Sequence, residues 1–234
     1  MNTISEGLPI GHALAGWQPC NRPPKSPMEG THCRIEQFAL ARDAEPLFEA
    51  YRADTDNRSW AYLPYGPFED FESYYRFAES ACLGDDLMVH TIVDRATETP
   101  LGVASYMRID PPNGVIEVGG IHYAPALQRT VAGTEAMYLM MKRVFDELGY
   151  RRYEWKCNAL NAPSRRAAER YGFTFEGVFR QAAVVKGRNR DTAWFAIVDG
   201  DWPAIRSAFE AWLSPENRDA EGRQKQGLSQ FMPG

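Results

Sequence analysis

Apolar residues recur at Met137, Met140, Met141, Val144, Phe145 and Leu148, and Gly149 closes the run. This i, i+3, i+4, i+7, i+8, i+11 spacing is one face of a helix, and it requires a surface to be buried against. Strand-like runs flank the helix on both sides. "VIEVGGIHY" precedes it, and "YRRYEWKCN" follows, with Tyr153, Trp155 and Cys157 alternating against Arg152, Glu154 and Lys156.

The rest of the chain reads around that unit. "HCRIEQFAL" is a first strand, "DAEPLFEAYRA" a helix beginning at Asp43, and "EDFESYYRFAESACLG" a second helix ending at Gly84. "LMVHTIVD" and "LGVASYMRI" form strands joined through "RATETP". "APSRRAAERYGF" is a short helix with Pro163 in its first turn and Gly172 as its stop. "FTFEGVFRQAAVV", the basic tip "KGRNR" and "DTAWFAIVD" make a hairpin, and "WPAIRSAFEAWL" a last helix. The order β-α-α-β-β-β-α-β-α-β-β gives an α+β fold: a mixed, mostly antiparallel sheet flanked by helices. Residues 1–32 read as an extended Pro/Gly-rich arm that Trp17 could pin to the surface, 33–213 as the domain, and 214–234 as a polar tail.

A formal net charge of −5 over 234 residues argues against a general nucleic-acid binder. Cys20, Cys33, Cys82 and Cys157 are widely spaced with no CxxC pair, so no metal site and no disulfide framework is expected. No apolar run reaches membrane-spanning length and no signal-peptide pattern opens the chain, so a cytoplasmic protein without membrane contact is expected.

The turn into the central helix, Gln128-Arg129-Thr130-Val131-Ala132-Gly133-Thr134, contains no proline. Every backbone N–H is therefore present at a helix N-terminus, where an anion is stabilised by free donors and the macrodipole. A polar-capped core helix would look the same at this level.

Read in order, "VIEVGGIHYAP", "LQRTVAGTEA" and "YEWKCNALNAPSRRAAERYGF" resemble the GNAT (Gcn5-related N-acetyltransferase) superfamily, and its RimJ/RimL-like branch in particular. The resemblance implies a sheet splayed at its central strands, with the pantetheine of acetyl-CoA lying in the gap. It implies that Gln128, Arg129, Thr130, Val131, Ala132, Gly133 and Thr134 hold the pyrophosphate, with Val131 where the family carries a glycine. Asn161 would bond the pantetheine arm, and Ser164 follows it in the next helical turn. The reaction implied is direct acetyl transfer to a primary amine, either a protein N-terminus or a small amine. The alternative is a non-catalytic acyl-CoA-binding module.

For the base, Glu117 and His122 are five residues apart and face opposite sides of a regular strand. A one-residue bulge at Gly119-Gly120 brings both to one face. Many members carry a Tyr general acid where this chain has Ala168; Tyr171 and Tyr123 stand nearby as substitutes. The aromatic loop "DNRSWAYLPYGPF" supplies Trp60, Tyr62 and Tyr65 as an acceptor wall, or else as a cap on the core. A homodimer is the expected assembly.

Overall fold

The computed structural model describes residues 11–84 and 86–233; the first ten residues of the expected arm lie outside it. In chain order the elements are β1 (Met28–Glu29), β2 (Cys33–Gln37), α1 (Leu40–Tyr51), α2 (Phe71–Ala81), β3 (Met88–Asp94), β4 (Thr99–Asp110), β5 (Val115–Tyr123), α3 (Val131–Lys142), β6 (Arg152–Asn158), α4 (Ala162–Arg170), β7 (Thr174–Val185), β8 (Arg188–Val198) and α5 (Trp202–Leu213). The strands form one sheet in the order β1-β2-β3-β4-β5-β6-β8-β7. Only β5 and β6 run parallel, because α3 carries the chain back between them.

Two apolar clusters hold the sheet. One face packs Ile35, Ile92, Tyr106, Ile116, Val118, Tyr153 and Phe195 against α3 and α5. The stripe read from the sequence lies here: Met140, Met141 and Val144 are fully buried, each stabilising by roughly 1.5–3 kcal/mol. Helix α3 widens into a π-helical turn at Arg143–Glu147. Its Arg143 is buried and donates to the carbonyls of Ser26 and Pro27. The opposite face carries α1 and α2, packed through Leu47, Phe48, Tyr51, Trp60 and Tyr74 onto Val89 and Val103.

Helix α1 begins at Leu40, three residues before the Asp43 start expected from sequence. The buried Asp43 carboxylate reaches back to the Ala39 N–H (2.8 Å) and accepts the Thr91 hydroxyl (2.7 Å), so it caps from inside. Trp17 pins the arm: its indole N–H donates to Pro112 O (2.9 Å), and the Arg151 guanidinium lies over its ring. The arm ends in β1, which pairs with β2. The expected polar tail is also packed, with Leu228 buried in the larger cluster and Phe231 and Met232 against it.

His90 on β3 is fully buried. Burial pushes it down to about 4, opposed by the Met88 backbone and helped by the nearby Arg143 charge. A depressed histidine stays neutral when folded, whereas the unfolded chain takes up its proton near pH 6.5. Stability is therefore full above that pH and falls as pH drops toward 4, by ~1.4 kcal/mol per unit for this group. A thermal-melt series from pH 8 to 4 should show that decline. His90→Leu should make it shallower and leave the neutral-pH midpoint unchanged or higher.

Candidate active site

The pairing of β5 with β6 runs only from Val115–Val118 to Arg152–Trp155. Beyond it, β5 continues to Tyr123 on β4, and β6 continues to Asn158 on β8. The facing edges from Gly119 and from Lys156 onward thus diverge as a fork.

A bulge sits at the fork. Across β4, Val103 pairs with His122 and Ser105 with Gly119, so β5 carries one extra residue there. Gly120 takes φ +56, a conformation that favours glycine, and a Cβ on Gly119 would lie 2.3 Å from the Met107 sulfur, so that side chain would have to move. Glu117, Gly119 and His122 oppose Met107, Ser105 and Val103, alternate residues of β4. The carboxylate and the imidazole consequently share the α1/α2 face of the sheet.

Their surroundings differ. Glu117 is buried, and its Oε2 accepts both Arg108 and Lys156 at 2.7 Å. Oε1 is directed at the bulge, 3.5 Å from the place a Gly119 Cβ would occupy. Lys156, the first β6 residue past the last β5 pair, also bridges to Glu154 (2.7 Å) and sits 3.8 Å from the centroid of Trp194. His122 stacks on Tyr51 and meets the edge of Trp60, and its Nε2 lies 2.9 Å from Ser59 Oγ. Burial pushes His122 down to about 3 against the opposing charge of Asp54, so it is neutral at pH 7.

At the start of α3, Thr130 is the N-cap, and its hydroxyl oxygen accepts from the Gly133 N–H at 3.0 Å. Arg129 turns the chain with φ +61. Among the described residues, the N–H groups of Arg129, Val131 and Ala132 have no protein acceptor. Thr130, Val131 and Ala132 line a cavity of about 420 Å³ with His32, Arg95 and Ala96.

The acetyltransferase (GNAT) domain family matches residues 33–174. The chain belongs to the GNAT acetyltransferases. It is 44% identical to a GCN5-related N-acetyltransferase from Brucella melitensis, covering 93% of this chain and 99% of that one, with a TM-score of 0.91. A probable acetyltransferase of the GNAT family from Chromobacterium violaceum is 37% identical over 86% of this chain and all of the other (TM-score 0.78). The fold extends to the microcin C7 self-immunity acetyltransferase MccE, solved with acetyl-CoA and AMP, at 22% identity over 72% and 93% (TM-score 0.63). No curated protein matched.

GNAT enzymes use acetyl-CoA as the acetyl donor, and this site fits it at two places. The free N–H groups at α3 suit a pyrophosphate, and the diverging strand edges suit an amide-bearing arm. Val131, at the first helical position, keeps its N–H available despite replacing a glycine. Gln128 turns inward, its amide donating to Tyr123 O (2.9 Å). The Thr134 hydroxyl donates to Thr130 O and accepts a guanidinium N–H from Arg170 at 3.2 Å, a cation beside this loop that the sequence did not reveal. Asn161 caps α4 through the Ser164 N–H, while the Ser164 hydroxyl accepts the Trp155 indole N–H (3.0 Å). Ala168 is fully buried; Tyr123 donates to Gly133 O, and Tyr171 is buried beside Thr134 and Arg170.

The three aromatic candidates part company. Trp60 is buried among Tyr51, Phe68 and His122, under Gly66. Tyr65 packs on Phe77. Tyr62 is exposed, and its hydroxyl donates to Leu160 O (3.1 Å), linking the loop to the start of α4. Trp60→Ala should therefore cost about 3–5 kcal/mol of stability. Tyr62→Ala should leave the melting midpoint near wild type and raise the acceptor KM. Equal midpoints for the two variants would contradict this division. Glu135, the acid of the "TEA" stretch, accepts the N–H groups of Thr31, His32 and Cys33, so its role is to clip β2 to α3.

Proposed function

We propose that this GNAT acetyltransferase moves acetyl directly from acetyl-CoA to a primary amine, of a protein N-terminus or a small molecule, in the manner of the RimJ/RimL-like branch. The observation that carries the reading is the bulge, which sets Glu117 and His122 on one face beside the open strand edges.

Acetyl-CoA supplies the activated acetyl group. The amine must be neutral when it attacks, and Glu117 is the acceptor of the ammonium proton, through water, on the Oε1 side left free by Arg108 and Lys156. The two cations fix that carboxylate at the fork. A backbone N–H in the bulge, of Gly120 or Ile121, polarises the carbonyl. His122, neutral and held against Ser59, adds no positive charge to repel an ammonium. Tyr62, exposed and tied to Leu160 O before α4, is the aromatic this reading assigns to the acceptor. No tyrosine takes the place of Ala168, so water returns the proton to the thiolate.

The second reading, a non-catalytic acyl-CoA-binding module, has the buried Ala168 in its favour. Thiol release from acetyl-CoA with a panel of amines separates the two. Cofactor binding without release on any amine would leave only the binding module.

A further inference from the structure

The basic tip of the β7–β8 hairpin carries charge that the acetyl-transfer reading leaves unused. Across β6, Trp194 pairs with Lys156 and Thr192 with Asn158. Strand alternation continues that face of β8 to Arg190 and Arg188. It is also the face of Glu117, because the Lys156 ammonium reaches that carboxylate. A stripe therefore runs from the aromatic floor of Trp194, stacked on the exposed Phe179 at 4.4 Å, through Arg190 and Arg188 to Lys186. Lys186 donates to Trp60 O at 2.9 Å, which closes the stripe onto the aromatic loop beside Tyr62.

None of these cations is neutralised by a carboxylate of the described residues. Neighbouring carboxylates are engaged elsewhere: Glu117 and Glu154 with Lys156, and Glu176 with Arg152. Asp191 has the opposite strand parity and accepts from the Gln181 N–H and the Asn189 amide. Among the described residues, Lys186, Arg188 and Arg190 form no ion pair. Two donors on this face, Arg190 Nε and Trp194 Nε1, are buried without any hydrogen-bond partner. A buried donor left unsatisfied is costly, and an incoming acceptor relieves that cost. A guanidinium fork matches carboxylate and phosphate oxygens. The chain's net charge of −5 makes a local cationic stripe the place where an anion is drawn in.

We propose that the acceptor amine carries an oxyanion, a carboxylate or a phosphate, received by Arg188 and Arg190 while the amine sits at Glu117. This rests on the acetyl-transfer reading and names the other end of its acceptor. The test uses matched amines: 2-aminoethyl phosphate against ethanolamine, and a dipeptide with a free C-terminal carboxylate against its amide. With kcat/KM read by thiol release at low salt, one or both anionic members should be favoured by about tenfold or more; which pair responds identifies the oxyanion. Arg188→Gln and Arg190→Gln should each shrink that ratio toward one, while the acetyl-CoA-induced thermal shift persists as the check on folding. Arg188 is exposed, so its variant keeps the test open if Arg190→Gln does not fold. Equal use of charged and neutral partners, or a preference that survives the double variant, overturns this inference alone. Retention of a single-stranded oligonucleotide that the double variant abolishes also overturns it, in favour of nucleic acid. Absence of thiol release on every amine removes it together with the acetyl-transfer reading.

Discussion

Gly133→Ala should remove most of the thermal stabilisation that acetyl-CoA confers, and Gly133→Asp all of it. A Cβ at this position would lie 2.7 Å from Leu127 O and 3.1 Å from the Tyr123 ring. The Leu127 carbonyl cannot simply retreat, because it accepts the Thr130 hydroxyl at 2.7 Å, and that residue caps α3. Relief of the clash must therefore tilt the first turn, and with it the N–H groups of Arg129, Val131 and Ala132. Aspartate adds a carboxylate against the anion. For the wild type, cofactor at a hundred times Kd stabilises by about 2.7 kcal/mol, a shift easily read in a melt. Val131→Gly frees no clash and should keep the shift. A Gly133→Ala protein with the wild-type shift would show that the first-turn geometry does not hold acetyl-CoA.

Glu117→Gln should lower kcat by roughly 10²-fold or more. Glutamine preserves shape and one acceptor oxygen, but it offers no anion to take the ammonium proton or to balance Arg108 and Lys156. The structural consequence is limited, since Lys156 retains Glu154 at 2.7 Å. Two readouts separate chemistry from scaffolding. The acetyl-CoA thermal shift should persist, and the acid limb of the kcat/KM profile should change shape. Activity near wild type would remove Glu117 from the mechanism and pass its role to His122. Loss of the thermal shift together with activity would instead make the carboxylate a strut of the fork.

Much of this is legible in the sequence, for identifiable reasons. The α3 stripe and the alternation in β6 are periodic patterns long enough to decide helix from strand. The bulge was legible because two adjacent glycines interrupt an otherwise β-branched run, and only a bulge turns a five-residue spacing onto one face. The ion pairs at the fork were not, since Lys156 meets Glu117 only through the β5–β6 register, a non-local fact. Nor could Glu135 be recognised as a clip, because its partners lie about a hundred residues away in the β2 entry. Aromatic counting in "DNRSWAYLPYGPF" could not tell the buried Trp60 from the exposed Tyr62. The tail misled by composition: Leu228, Phe231 and Met232 are too few to show a period, yet they complete the core over α5.

The short seam between β5 and β6 has a consequence for how the molecule breathes. Val115–Val118 against Arg152–Trp155, with the Gly114 carbonyl accepting the Arg151 and Arg152 N–H groups, is a short seam between a five-stranded half and a three-stranded half, each closed by antiparallel neighbours. Each half is a candidate cooperative opening unit, and a donor lying along both diverging edges would act as a strap between them. In hydrogen exchange, free protein should therefore lose protection first along Gly119–His122 and Lys156–Asn158. Acetyl-CoA should slow exchange at both edges in step, though the two segments lie more than thirty residues apart in the chain.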